Sequence, residues 1–389
     1  MQSHSIIYSI FLIFTGATVI ATIALYARQA LLIAYITLGL LFGPSGLALV
    51  SDASTIRDIS QVGIIFLLFL LGLNLEPQDL RRVMKNATIT TLLSSIIFAA
   101  VGFSIAALFN YSLTDSVLIA VAMMFSSTII GLKLLPTSAL HHQRMGEIIV
   151  SILLLQDIIA IIVLLLLQGL AKGDNPWLDI ARLISSLPGL FVLAFLFSKY
   201  IINRLLIQFD QIKEYVFLLA IGWCLGIAQL AEHLSLSYEI GAFVAGVSLA
   251  ANPIARYIAE SLKPLRDFFL ILFFFALGAS FNPGALNQIL LPALILALVA
   301  FLGKPLIFRQ LLRREPEQER LASEIGVRLA QISEFSLLIA IVAVDTMLLS
   351  QKASYLIQTA TLFTFMISSY WIVMRYPTPI AVNEQLRRD

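Results

Sequence analysis

The chain has 389 residues, of which 59% are hydrophobic and only 12% charged, with a mean hydropathy of +0.94. A soluble domain of this length needs far more polar surface, so the composition excludes a soluble enzyme and specifies an integral membrane protein. The net charge of +2 implies no nucleic-acid partner, the single Cys224 excludes an internal disulfide, and no Cys/His spacing resembles a zinc site.

Apolar runs of about 20 residues, the length that crosses the hydrocarbon core as helix, recur between short polar or Gly/Pro-marked breaks. They predict an all-α polytopic fold of about thirteen transmembrane helices, at 5–26, 30–50, 56–75, 86–109, 114–135, 145–171, 180–207, 212–234, 237–251, 265–281, 284–312, 321–347 and 351–375. The first run is expected to be retained, because MQSHSIIYS has no basic residue of a signal peptide. Basic residues set the orientation: with the N-terminus outside, 19 Lys and Arg fall on cytoplasmic segments and 4 on external ones, leaving Lys304 and Arg328 in the membrane. The C-terminus is then cytoplasmic.

An internal repeat shows at the third helix. GLNLEPQDL at 72–80 matches GASFNPGAL at 278–286, an offset of 206, with Gly72 over Gly278 and Pro77 over Pro283. The first copy ends at the basic loop of Arg81 and Arg82 and the second at an uncharged external turn, so the repeat is inverted. The same offset pairs Ser127 with Ser333, in two helices that both look interrupted. Inverted repeats with discontinuous helices at the midplane are a transporter signature.

In 114–135 the cluster Ser126–Ser127–Thr128 sits mid-span, where hydroxyls satisfy backbone groups freed by unwinding, or back-bond within an intact helix. In 321–347 the cluster Gln331–Ser333–Glu334 takes the matching place, and Glu324 and Arg328 stand at i,i+4 spacing for an ion pair.

Between them, SILLLQDIIAIIVLLLLQ at 151–168 holds one acid, Asp157. A mid-membrane carboxylate costs about 2.5–3.5 kcal/mol on insertion scales and marks a partner, a cavity or an ion path. Lys304 is a second charge at depth, which allows a fixed salt bridge or a site whose charge changes during work. A small cation and a proton can compete for one carboxylate, and Gln156 offers a neutral carbonyl to the cation's shell. His141, His142, Glu147, Glu239, Glu315, Glu317 and Glu319 read as solvated or capping residues, and GAFVAG at 241–246 as helix packing.

The segments LLFGPSGL at 40–47, FLLGLNLEP at 69–77, FSST at 125–128, LLQDIIAI at 154–161, GAFVAGVSLA at 241–250, LFFFALGAS at 272–280, Lys304 and QISEF at 331–335 cover nearly the whole chain. In them it resembles the second branch of the monovalent cation:proton antiporter superfamily, and within it the membrane domain of the Kef-type potassium efflux systems. The resemblance implies a sodium/proton-antiporter-like fold with crossed discontinuous helices. It implies a dimerisation scaffold (about 5–75 and 212–281), a core (about 86–171 and 284–375), a linker helix (about 180–207), and a short cytoplasmic tail at 376–389. It further implies a homodimer working by an elevator-like movement. The chain departs from the Kef pattern at EQLRRD, with no nucleotide-binding fingerprint after the last helix and no regulatory pattern in 251–264, so ligand gating is not expected, although a separate regulatory subunit is possible.

The expected function is a secondary antiporter of the inner membrane, exchanging K+ for H+ in pH homeostasis, with no resident cofactor and no catalytic residue. Asp157 is the expected shared ligand of K+ (or Na+) and H+, with Gln156, Ser126, Ser127 and Thr128 shaping the ion's shell. Lys304 is expected to tune the Asp157 charge, and Glu334, Ser333 and Arg328 to stabilise the crossover. Sodium/proton exchange on the same fold is the nearest alternative and a potassium channel a more distant one. An intramembrane hydrolase would need a second catalytic acid or a Ser/His pair at depth.

Overall fold

A computed structural model describes residues 6–27, 29–50, 53–73, 77–135, 144–171, 176–234, 236–312 and 319–378. Among them are sixteen α-helices: α1 (Ile6–Tyr26), α2 (Leu31–Phe42), α3 (Ala53–Leu73), α4 (Pro77–Leu108), α5 (Leu113–Met124), α6 (Thr128–Lys133), α7 (Arg144–Ala171), α8 (Pro176–Phe197), α9 (Asn203–Gln208), α10 (Lys213–His233), α11 (Tyr238–Leu249), α12 (Ala255–Ser280), α13 (Leu286–Leu312), α14 (Glu319–Arg328), α15 (Glu334–Asp345) and α16 (Gln351–Arg375). Eight segments of the described residues are long and apolar enough to cross a membrane, and α2, α11 and residues 61–73 are shorter apolar helices. His141, His142, Glu315, Glu317 and residues 379–389 lie outside the described residues.

Several boundaries differ from the sequence pattern for local reasons. Helix α4 starts at Pro77, well before the expected 86, because proline at a first helical position costs no hydrogen bond and presets φ. Helix α2 stops at Phe42, where Gly43–Pro44 opens a turn that carries Ala48 at φ 51°. Helix α12 begins at Ala255, so most of the expected loop 251–264 is helical. A π-turn at Ser198–Ile202 carries α8 into α9 without a gap.

The two hydroxyl-rich helices are interrupted. Helix α5 ends at Met124, Phe125 is extended (φ −94°, ψ 147°), and α6 resumes at Thr128. Helix α14 ends at Arg328, and α15 resumes at Glu334 after the extended Ser333 (φ −89°, ψ 154°). Ser127 Oγ accepts from the Ile130 N–H at 3.1 Å, and Ser333 Oγ accepts from the Phe335 N–H at 3.1 Å. Serines 206 residues apart thus cap the resumed helices, each satisfying an N–H that the break leaves bare.

The chain divides into two compact units. The first comprises 1–18, 35–81 and 168–280, and so includes the helix expected as a linker. Within it α3 meets α11 with backbone on backbone: a Cβ on Gly72 would lie 2.4 Å from the Phe243 carbonyl oxygen, and one on Gly246 2.2 Å from that of Phe69. GAFVAG is helix packing, as its small residues suggest. The second unit comprises 19–34, 82–167 and 281–389, and it alone holds the candidate site. Its core gathers Phe98, Ile149, Ile152, Phe308, Ile325 and Leu329.

Candidate functional site

Interrupting two buried helices frees carbonyls at the ends of α5 and α14 and N–H groups at the starts of α6 and α15. Buried backbone groups must find partners, and here side chains supply them. Gln156 on α7 spans the first break: its Nε2 donates to the Met124 carbonyl at 3.1 Å, and its Oε1 accepts from the Ser126 N–H at 2.9 Å. Gln331 donates from Nε2 to the Arg328 carbonyl at 2.8 Å and accepts from Ser368 Oγ at 2.9 Å, while the Ile332 N–H donates to Thr364 Oγ1 at 3.1 Å.

The breaks are also bonded to each other. Ser126 Oγ donates to the Leu329 carbonyl at 2.9 Å, the Ile129 N–H donates to Glu334 Oε1 at 3.0 Å, and Ser336 Oγ donates to the Ala122 carbonyl at 2.6 Å. Lys304, 0% exposed on α13, donates from Nζ to the Phe125 carbonyl at 2.6 Å and the Gln331 carbonyl at 3.1 Å, with Ser126 Oγ at 3.4 Å. Phe125 and Gln331 are 206 residues apart, as are Lys304 and Phe98, whose ring lies 5.3 Å from the ammonium. The C-terminal ends of α5 and α14 are the negative poles of two short dipoles, a suitable seat for one positive charge.

Asp157, 2% exposed, has a different environment. Thr128 Oγ1 lies 3.1 Å from its Oδ1 and 3.2 Å from its Oδ2, so one hydroxyl straddles both carboxylate oxygens. Among the described residues no cationic side chain lies within the 4.0 Å of an ion pair with it.

The expected site residues therefore meet, in roles that differ in part from the sequence reading. Of the three hydroxyls expected in the ion's shell, only Thr128 touches Asp157; Ser127 caps α6 and Ser126 bonds across to Leu329. The Gln156 amide is engaged at both ends by backbone of the first break. Lys304, expected to tune the Asp157 charge, makes its hydrogen bonds to the Phe125 and Gln331 carbonyls and Ser126 Oγ. Glu334 bridges the breaks through Oε1, while its buried Oε2 has no hydrogen-bond partner. Arg328 pairs with Glu324 at 2.7 Å, as the spacing predicts.

Asp115 is a residue that sequence reasoning missed. Its N–H donates to Ser112 Oγ at 3.1 Å, the first half of a capping box, but its carboxylate reaches across to α16, accepting from the Ser350 N–H and Oγ at 2.9 Å each. The Ser-x-x-Asp pattern at 112–115 marks a helix start and carries no sign of that partner. Nearby, Lys352 Nζ sits 5.2 Å from the centre of the Tyr111 ring. Burial, then the Asp115 carboxylate, pushes the Tyr111 phenol up to about 12, so this ring stays neutral.

The family described as "Sodium/hydrogen exchanger, transmembrane" matches residues 10–374. The K(+) efflux antiporter 4 of Arabidopsis thaliana is 30% identical over 376 residues, covering 93% of this chain and 62% of that protein. The glutathione-regulated potassium-efflux system protein KefC of Escherichia coli O81 (strain ED1a) is 29% identical over 347 residues, covering 87% of this chain and 55% of KefC. This chain thus spans little more than half the length of those two relatives. The structure of the sodium proton antiporter MjNhaP1 from Methanocaldococcus jannaschii at pH 8 superposes with a TM-score of 0.70 at 19% identity, covering 98% of this chain and 97% of that one. That likeness shows the fold.

Proposed function

Because the chain belongs to the sodium/hydrogen exchanger family, a family of multi-pass membrane transporters, we propose that it exchanges a monovalent cation for protons at Asp157, with potassium as the preferred cation. The observation that carries this reading is Asp157 itself, buried, held by one hydroxyl and free of any ion-pair partner among the described residues. A fixed structural carboxylate would be paired.

Charge balance gives the reading its chemistry. The joined breaks hold two buried carboxylates, Asp157 and Glu334, and one buried ammonium, Lys304, while Arg328 is matched by Glu324. One positive charge is missing when all are ionised, and either a cation or a proton on Asp157 supplies it. The two cannot be held together without a surplus, so one displaces the other. Thr128 suits both states, since its hydroxyl donates to an ionised carboxylate and accepts from a protonated one while its lone pairs face a cation.

Potassium is preferred because the K(+) efflux antiporter and KefC relatives carry that ion in their names. The working form in this account is a homodimer in the inner membrane, N-terminus outside and C-terminus cytoplasmic. The core at 86–171 and 284–375 carries the ion in an elevator-type movement against a scaffold at 5–75 and 212–281, and its discontinuous helices cross beside Asp157 as inverted repeats. The test is proton flux in proteoliposomes under imposed gradients of potassium, sodium, rubidium and lithium. Proton movement largest with potassium is expected; cation movement without proton movement would mean a channel.

A further inference from the structure

The guanidinium of Arg328 is 1% exposed and joins three stretches of chain distant in sequence. Nε and Nη2 donate to Glu324 Oε1 at 2.9 and 2.7 Å, Nη1 donates to the Leu134 carbonyl at 2.8 Å, and Nη2 also donates to the Pro377 carbonyl at 2.9 Å. The Tyr376 ring covers the group at 5.6 Å. Leu134 follows the C-terminal end of α6, Arg328 ends α14, and Tyr376 and Pro377 are the residues that follow α16. Thr378, next in the chain, is fully buried.

Stability gives little reason for a charge here. A buried ion pair replaced by packed apolar side chains is often neutral or stabilising, and Glu324 keeps 23% of its side chain exposed. A guanidinium supplies something apolar packing does not, a planar fork of donors that fixes several partners in one orientation.

Arg328 itself and one of its partners, Leu134, lead to Asp157. Arg328 immediately precedes the second break, where the Leu329 carbonyl accepts from Ser126 Oγ, and the Ser126 N–H donates to Gln156, the neighbour of Asp157. Leu134 lies just beyond the short helix that starts at Thr128, whose hydroxyl holds Asp157. Tyr376–Pro377 is bound to this fork through Nη2 and the ring face.

We propose that Arg328 is a positioning residue through which the segment 376–378 sets the cation affinity of the Asp157 site. Displacing the segment removes the Nη2 bond to Pro377 and uncovers the face of the guanidinium, leaving Nη2 to Glu324 alone, turns the fork, and moves the Leu134 end of α6 together with the start of the second break. Thr128 then shifts against Asp157. The proposal rests on the reading of Asp157 as the ion site.

The test compares Tyr376→Ala, Arg328→Lys and the double variant in the full chain. One readout is cation-driven proton flux, and the other is hydrogen–deuterium exchange over residues 126–135. Tyr376→Ala, which makes no hydrogen bond to Asp157, is expected to raise the KM for potassium about fivefold, a typical coupling between sites, with the maximal rate little changed and exchange at 126–135 faster. Arg328→Lys keeps the charge but loses the fork and is expected to shift KM in the same direction. Adding Tyr376→Ala to it is expected to cause no further shift. A Tyr376→Ala protein with wild-type KM and faster exchange only at 376–378 would overturn the proposal, as would shifts that add in the double variant. If the wild type moves no protons, the reading of Asp157 falls, while the exchange over 126–135 still decides whether the segment is coupled to the break.

Discussion

Lys304 donates to the carbonyl oxygen of Phe125 at 2.6 Å, at the open end of a broken helix, and makes no ion pair with Asp157. The buried charges of this membrane unit are therefore divided by task. Lys304 closes the backbone of both breaks, and Asp157 is held by the Thr128 hydroxyl.

The first prediction follows from that division. Asp157→Asn and Lys304→Gln remove opposite charges that share no hydrogen-bond partner but stand in one buried charge balance, so the double variant is expected to be more stable than the sum of the two single effects implies. Lys304→Gln alone lowers the melting temperature, because the Phe125 and Gln331 carbonyls lose a charged donor. Effects that simply add would mean that the two charges are uncoupled.

Thr128→Val removes the hydroxyl that holds both Asp157 oxygens and keeps the shape of the side chain. The bond to the carboxylate exists with and without the cation, but the hydroxyl's lone pairs leave the cation's shell with it, so the Kd for potassium is expected to rise by about tenfold. Thr128→Ser is expected to restore binding. Calorimetric titration of the detergent-solubilised protein measures both; unchanged affinity in the valine variant would leave Thr128 a packing residue.

Competition at one carboxylate fixes the pH dependence. A proton on Asp157 removes the cation's ligand, so the Kd for potassium rises as pH falls. Below the midpoint of the Asp157 titration the rise is about tenfold per pH unit, the slope of one proton against one site. A Kd independent of pH across the range where transport is lost would separate the proton site from the cation site.

Glycines on both sides of Lys304 behave oppositely under substitution. A Cβ on Gly326 of α14 would lie 2.7 Å from the carbonyl oxygen and 2.8 Å from the Cα of Pro305, the residue after Lys304, so backbone must move. Gly326→Ala is expected to cost about 1–3 kcal/mol and lower the melting temperature. For Gly303 the nearest atom is Val299 Cγ1 at 3.9 Å, and Gly303→Ala is expected to be neutral or stabilising through helix propensity. Equal melting temperatures for the two variants would contradict this packing.

What the sequence made legible were features that cost energy in a membrane. Hydroxyls at 126–128 and 333 are needed where a helix is broken, and the breaks lie there; a lone acid in 151–168 is expensive, and Asp157 is buried beside the first break. The Glu324–Arg328 pair was legible because i,i+4 spacing is a local rule. Contacts made to backbone carbonyls were not, because any residue offers the same carbonyl. Lys304 with Phe125 and Gln331, Arg328 with Leu134 and Pro377, and Gln156 with Met124 all belong to this class. Asp115 was missed for a related reason: its local pattern is complete without α16, so nothing in it requires the bond to Ser350.

The most direct test of the account is potassium-driven proton flux in proteoliposomes holding Asp157→Asn beside the wild type, each verified as folded by its melting transition. Asparagine keeps the volume and still accepts a hydrogen bond from Thr128, but it can neither bind a proton nor balance a cation. The account predicts that the wild type moves protons against the potassium gradient and that Asp157→Asn moves none while retaining a cooperative melt. Proton flux at the wild-type rate in a folded Asp157→Asn protein would contradict it.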